Sequence, residues 1–228
     1  MRSSITVGAS VFDADASAYI FTVSPGLSLE FAGNGVTNNS GVPQNFVSTT
    51  DAAGNFGVIN FSRHSTAGDL CTYRTEPGTF NGASGSFIQF YNFAEAADGT
   101  FINKGAKISG GRGGETDFFD TASAGTGIFT AIAGTEFSTA GGTIAFFGSS
   151  TASGGEFTAK GSHVRAGFGG DIYFRETPRP LTAPSLSTAG RKTFPPAPIC
   201  ISRKWRAQEP LSFRSGAALP QGRVTARL

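Results

Sequence analysis

Aromatic residues recur every 28 positions through the middle of this 228-residue chain, and this period constrains the fold more than any other feature. The first column consists of Tyr73, Phe101, Phe129 and Phe157. The second consists of Phe90, Phe118, Phe146 and Phe174. A glycine-pair column, Gly113-Gly114, Gly141-Gly142 and Gly169-Gly170, keeps the same period. Such repetition is typical of a solenoid, in which each repeat buries its apolar face against the next.

The composition favours strands over helices. Glycine accounts for 32 residues and phenylalanine for 22, while only 15% of the residues are charged. Phenylalanine and threonine suit half-buried strands, and glycine permits the dihedral angles of tight turns. The chain lacks the runs of Leu, Glu and Lys that form long helices. An all-β fold follows.

Within one repeat, residues 100–103, 106–109 and 116–119 are the predicted short strands, with glycine clusters between them. Alternation along the third strand puts Thr116 and Phe118 on the core side and Asp117 on the outside. Stacked units of this kind pair their strands in parallel and superimpose equivalent side chains. The sequence therefore predicts a right-handed parallel β-solenoid of about five 28-residue coils.

The chain divides into three regions. Residues 1–44 are expected to form N-terminal strands or a cap, and residues 45–174 the solenoid repeats. Residues 175–228 carry a net charge of +8 and eight prolines, against −6 for residues 1–174. Proline is excluded from central strands, and a polar, charged segment buries too little surface to fold. We expect a disordered basic tail from residue 175.

Three segments resemble the repeats of autotransporter-type β-helix proteins of bacteria, namely residues 35–41, 99–105 and 113–125. The resemblance implies a passenger-like scaffold at the outer-membrane surface or outside the cell. It also implies that surface glycans or other cell-surface proteins are the partners. No signal-peptide-like segment and no stretch of about 18 apolar residues is visible in the sequence.

No repeated cluster of catalytic residues is evident. Parallel β-helices that cleave polysaccharides place acidic and basic side chains on one face over successive coils. Here Asp117, Glu115 and Arg112 have no such counterparts one period later, which predicts a solvated exterior. We therefore expect a structural or adhesion-type protein without a catalytic residue. Two alternatives remain: a carbohydrate-active β-helix enzyme, or a truncated or frameshifted fragment without activity of its own.

Metal and cofactor sites are not expected either. Residues 110–115 are similar to a calcium-binding glycine turn, but the segment occurs once and offers Glu115 where that motif has aspartate. His64 and His163 lie in non-equivalent positions of the repeat, and Cys71 and Cys200 lie in regions of opposite character. The basic run at 203–206 is irregular and predicts no specific nucleic-acid site.

Overall fold

A computed structural model of the chain describes residues 3–175 and 203–206. The described residues contain fourteen β-strands and no helix. The strands are β1 (Ile5–Phe12), β2 (Ile20–Val23), β3 (Ser28–Asn38), β4 (Gln44–Ser48), β5 (Val58–Phe61), β6 (Cys71–Thr75), β7 (Phe87–Phe90), β8 (Thr100–Asn103), β9 (Glu115–Phe118), β10 (Ile128–Ala131), β11 (Thr143–Phe147), β12 (Glu156–Ala159), β13 (Asp171–Arg175) and β14 (Arg203–Arg206).

The strands form two seven-stranded sheets. Sheet A contains the odd-numbered strands β1 to β13, and sheet B contains the even-numbered strands β2 to β14. Neighbouring strands pair in parallel throughout, except that β14 is antiparallel to β12. Each turn adds one strand to each sheet, so β1 to β12 complete six turns of a β-solenoid. The first strands of both sheets lie within the region expected to cap the repeats.

The two aromatic columns are the core, as predicted. In sheet A, Phe118 stacks on Phe90 and on Phe146, with both centroid distances 4.7 Å and interplanar angles of 8° and 6°. In sheet B, Phe129 stacks on Phe101 at 4.7 Å. The columns meet edge to face, with 5.7 Å between the centroids of Phe118 and Phe129. Both contacts are favoured ring geometries, so packing adds to the gain from burial.

The predicted strand at 106–109 is wrong. Ala106 is buried, but Lys107, Ile108 and Ser109 point into solvent. The segment closes into a turn in which the Gly111 amide donates to the Ile108 carbonyl at 2.9 Å. Gly110, between them, has a φ of 74°, which favours glycine and is incompatible with an extended strand. Each repeat therefore has two strands, not three.

The connection from sheet A to sheet B carries a single paired residue per turn instead of a strand. These parallel bridges join Gly35, Thr66, Glu95, Ser123 and Thr151 in successive turns. They extend the coil-to-coil pairing around the corner that links the sheets.

The glycine pairs mark places where successive turns nearly touch. A Cβ atom on Gly113 would lie 2.1 Å from the carbonyl oxygen of Gly141, and one on Gly141 would lie 2.0 Å from that of Gly169. No side chain fits at these distances. Glycine is thus required here by the approach of backbone to backbone.

A buried polar contact links the two sheets where Thr116 interrupts the isoleucine column. The hydroxyls of Thr116 and Thr75 both donate to the side-chain oxygen of Asn103, at 2.8 and 2.9 Å. Asn103 in turn donates to the Thr143 carbonyl. Within this cluster, the hydroxyls of Thr75 and Thr116 and the side-chain amide of Asn103 therefore all have hydrogen-bond partners.

The expected tail at 175–228 falls mostly outside the described residues, and its disorder stays a prediction. Arg175 is the last residue of β13, and β14 is formed by residues 203–206. That short strand was not anticipated from the sequence.

Candidate functional surface

The outer face of sheet A carries carboxyl, amide and aromatic side chains and is the first candidate for a functional surface. Its strands point alternate side chains outward, and equivalent positions in successive turns form columns. One column passes through Gln89, Asp117 and Ala145, which the strand register aligns. The outward assignment of Asp117 from the sequence is thereby confirmed.

A second column on this face is aromatic. Tyr91, Phe119 and Phe147 stack in parallel with centroid distances of 5.0 and 4.9 Å. Each follows an inward phenylalanine directly, and the Tyr91 hydroxyl donates back to the Gln89 side chain at 2.9 Å. The Tyr91 ring is thereby held beside the column that contains Gln89 and Asp117. We call Tyr91, Phe119 and Phe147 the aromatic roof.

The roof accounts for an unexpected burial. Asp117 is only 4% exposed and Ala145 only 2%, although both lie on the outside of the sheet. The prediction that Asp117 is solvated is therefore wrong. Strand alternation predicts that outward residues are exposed to solvent, but here a column of aromatic rings lies on the same face beside Asp117 and Ala145.

Asp117 is short of hydrogen bonds in this environment. Gln89 donates to one carboxyl oxygen at 3.3 Å, and the other oxygen has no partner. Burial, with a smaller contribution from the neighbouring Glu115 charge, raises the pKa of Asp117 to about 7. Near neutral pH this residue is therefore partly in its uncharged acid form.

Glu115 lies two residues earlier on the same face. Burial raises the pKa of Glu115, while the charge of Arg112 acts in the opposite direction. Of the three residues weighed as a possible lyase-type cluster, Glu115 therefore interacts electrostatically with both Arg112 and Asp117. Arg112 itself is exposed in the connection that precedes β9.

On β13, at the end of sheet A, the outward residues are Asp171, Tyr173 and Arg175. The Tyr173 hydroxyl donates to Asp171 at 2.9 Å, and the Arg175 guanidinium lies 5.8 Å from the centre of the Tyr173 ring. Burial, and then the Asp171 charge, raises the pKa of Tyr173 to about 12. Tyr173 therefore stays protonated at physiological pH.

The two histidines are not brought together. His64 lies in a connection from sheet A to sheet B and stacks on Phe93 at 5.0 Å. His163 lies in a connection from sheet B to sheet A, at the other side of the coil. A shared site for these two side chains is therefore ruled out.

Backbone groups of the glycine turn at 110–115 form hydrogen bonds within the fold. The Gly110 amide donates to the Ser138 carbonyl of the next turn, and the Gly114 amide donates to the Lys104 carbonyl. Among the residues that the structure describes, no three His, Cys, Asp or Glu side chains gather as metal ligands.

Cys71 is a buried free thiol, and burial raises its pKa to about 12, so it remains uncharged. Cys200 lies outside the described residues. On the surface, Glu76 pairs with both Lys104, at 2.8 Å, and Arg74, at 3.0 Å. The Lys104–Glu76 pair joins adjacent turns, whereas Arg74 and Glu76 belong to the same turn; all three side chains are partly exposed, and ion pairs in such positions contribute little.

The outer face of sheet B is flatter and more open. In its outward columns, Arg74 and Glu156 flank six threonine and isoleucine side chains: Thr72, Thr100 and Ile128 in one column, and Ile102, Thr130 and Thr158 in the other. Ile128 is 47% exposed, and the other five side chains are half-buried. This face presents hydroxyl and methyl groups at a regular spacing, with no roof over them.

Concave surface is found at the N-terminal end. A shallow depression of about 540 Å³ is lined by Phe12, Tyr19 and Phe21, with Asp13 and Asp15 at its rim. It lies at the end of the aromatic core, where Phe21 stacks on Phe46 at 5.0 Å.

These features define the chain as a parallel β-solenoid with an aromatic core. No protein-family model matches the sequence, and neither a curated protein nor a solved structure matches it. The described residues include no helix long and apolar enough to cross a membrane.

Proposed function

We propose that this protein is a non-catalytic scaffold of the adhesion type, which presents the outer face of sheet B to an extended partner. The observation that carries the proposal is the regular array of threonine and isoleucine side chains on that face. The array extends over β8 and β10, continues with Thr72 and Thr158 on the neighbouring strands, and is partly exposed. A binding surface of this shape suits a polymer that runs along it.

The aromatic ladders support a structural role. Rings stacked at about 5 Å fill the space between the sheets from Phe31 to Phe174. A filled core of this kind resists bending and holds the outer columns at fixed positions. In the aromatic roof, the two faces of the Phe119 ring contact Tyr91 and Phe147, so this ring is not free to stack against a sugar.

The proposed partners are surface glycans or other cell-surface proteins, and the proposed location is the bacterial surface or its surroundings. Both proposals rest on the resemblance of residues 35–41, 99–105 and 113–125 to passenger-type repeats. Threonine hydroxyls and isoleucine methyls on sheet B could serve the polar and apolar faces of a sugar chain.

The test is a binding screen of the full chain against arrays of bacterial and host polysaccharides. We expect at least one polymer to bind without the release of new chain ends. Replacing Ile128 and Thr130 together by aspartate should abolish binding, whereas Thr135→Asp, in an exposed connection, should leave it unchanged. Release of chain ends, or equal binding by both variants, would overturn the proposal.

A second candidate is a carbohydrate-active enzyme, and one observation favours it. Glu115 and Asp117 are a pair of outward carboxyl groups with raised pKa values, and a carboxyl pair is the usual machinery of glycoside hydrolysis. Against it, Asp117 is almost fully covered. Polysaccharide cleavage that is lost in both Glu115→Gln and Asp117→Asn would establish this function in place of the first.

A further inference from the structure

The two sheets have the same number of strands, so they begin together at one end of the solenoid and finish together at the other. β1 and β2 form the first layer, and β13 and β14 form the last, because β14 supplies the seventh strand of sheet B. Within the described residues, no strand pairs with the outer edge of β1 or of β13. Each of these edges presents unpaired backbone groups, which in parallel strands are a template for another strand.

The core columns are uncovered at the N-terminal end. Ile5 begins the inward column that continues through Leu29 and Ile59, as the strand register shows. Its exposed fraction is 39%, against 7% for Leu29 and zero for Ile59. Ile5 is therefore an interior side chain without an outer neighbour in the described part of the chain.

The same columns are uncovered at the C-terminal end. Ile172 and Phe174 pair with Ile144 and Phe146, which are fully buried or nearly so. Ile172 and Phe174 themselves are half-buried. Among the residues that the structure describes, they have no neighbour on the outer side, like Ile5 at the other end.

The two free edges of sheet A are complementary because β1 and β13 carry the two ends of the same inward columns. If β1 of a second copy continued sheet A beyond β13, the register of the columns would put Ile5 against Ile172 and Val7 against Phe174. Outside, Ser4 and Thr6 would face Asp171 and Tyr173. Apolar groups would meet inside, and no like charges would meet outside.

We propose that copies of this chain associate head to tail, with β1 of one copy pairing in parallel with β13 of the next. In sheet A, the contact continues the parallel pairing that already joins each strand to its neighbour. It is heterologous, so it leaves one free edge at each end of the assembly and builds linear chains.

Sedimentation velocity of the full chain tests the proposal. The weight-average mass should rise with concentration. Ile5→Lys puts a charge into the column at one end, and Ile172→Lys does so at the other, and each variant alone should sediment as a monomer. Thr6→Lys and Tyr173→Lys are the matched outward controls and should still associate. Circular dichroism and urea unfolding verify that each variant is folded.

Mixing the two inward variants separates the possible arrangements. Each variant keeps one intact end, so a head-to-tail contact predicts a 1:1 dimer that does not grow further. A wild-type monomer at all concentrations would overturn the proposal. Dimerisation by Ile172→Lys alone would overturn it in favour of a symmetric contact between N-terminal ends.

Discussion

Phe118 and Phe146 stack in parallel with 4.7 Å between their ring centroids, although 28 residues separate them in the chain. That distance is the spacing of neighbouring strands in a sheet. Residues one repeat period apart in the sequence therefore contact each other through their rings in the core. As a result, the stability of each turn depends on the turn beside it.

Replacing Phe146 by aspartate should be severely destabilising. Loss of the ring from a packed core costs about 3–5 kcal/mol, and the buried charge adds to that cost. Ile128→Asp is the control, because the side chain of Ile128 is 47% exposed on the outside of sheet B. It should cost less than about 1 kcal/mol. Urea unfolding midpoints measure both, and equal shifts would contradict the inward assignment of Phe146.

Ala145→Asp should also be costly, even though Ala145 faces outward. The new carboxylate would be buried under the aromatic roof and beside Asp117, with which Ala145 is paired. Ala145→Asn introduces similar bulk without charge and is the control. The difference in unfolding free energy between the two variants should be larger at pH 8 than at pH 5. A pH-independent difference would count against the buried charge as the cause.

Asp117 should make the fold less stable as the pH rises. Its pKa is raised from 3.8 to about 7 in the folded state, so its stabilising contribution is complete below pH 3.8 and is lost as the pH rises through 7. Asp117→Asn should remove this dependence and be the more stable protein at pH 8, by about 2–4 kcal/mol. Unfolding curves between pH 4 and pH 8 test this. Parallel pH profiles for the wild type and the variant would contradict it.

Asn103→Ala should cost about 2–3 kcal/mol, because it leaves the buried hydroxyls of Thr75 and Thr116 without their shared acceptor. Converting all three positions to apolar residues, as in Thr75→Val, Asn103→Leu and Thr116→Ile together, should recover most of that loss. Thermal unfolding of the single and triple variants provides the comparison. A triple variant no better than Asn103→Ala would show that packing, not hydrogen bonding, sets the cost.

The inward columns could be predicted because side-chain period and repeat period are both visible in the sequence. Phe118 and Thr116 share a face by alternation, and the 28-residue spacing aligns them with Phe146 and Ile144. The prediction of a strand at 106–109 was wrong for a local reason. Its alternation is similar to that of a strand, but Gly110 turns the backbone where a strand would continue.

The burial of Asp117 was missed because it depends on a tertiary contact that alternation does not describe. Its signal was nonetheless in the sequence. Phe118 and Phe146 are each followed by a second aromatic residue, and so is Phe90. A second ring at the same place in three repeats indicates a stacked column outside the sheet. Such a column necessarily shelters the residues next to it.

The unchanging register between turns has a consequence for how such a gene can vary. β10 pairs with β12 at a 28-residue offset, as β8 pairs with β10, so any one turn meets the same kind of neighbour on both sides. Loss of residues 99–126 would join Asp98 to Gly127 and bring β6 beside β10 with every column intact. Recombination between repeats could therefore shorten or lengthen the rod by whole turns while the inward aromatic columns are kept, and its length would be a heritable trait that selection can adjust.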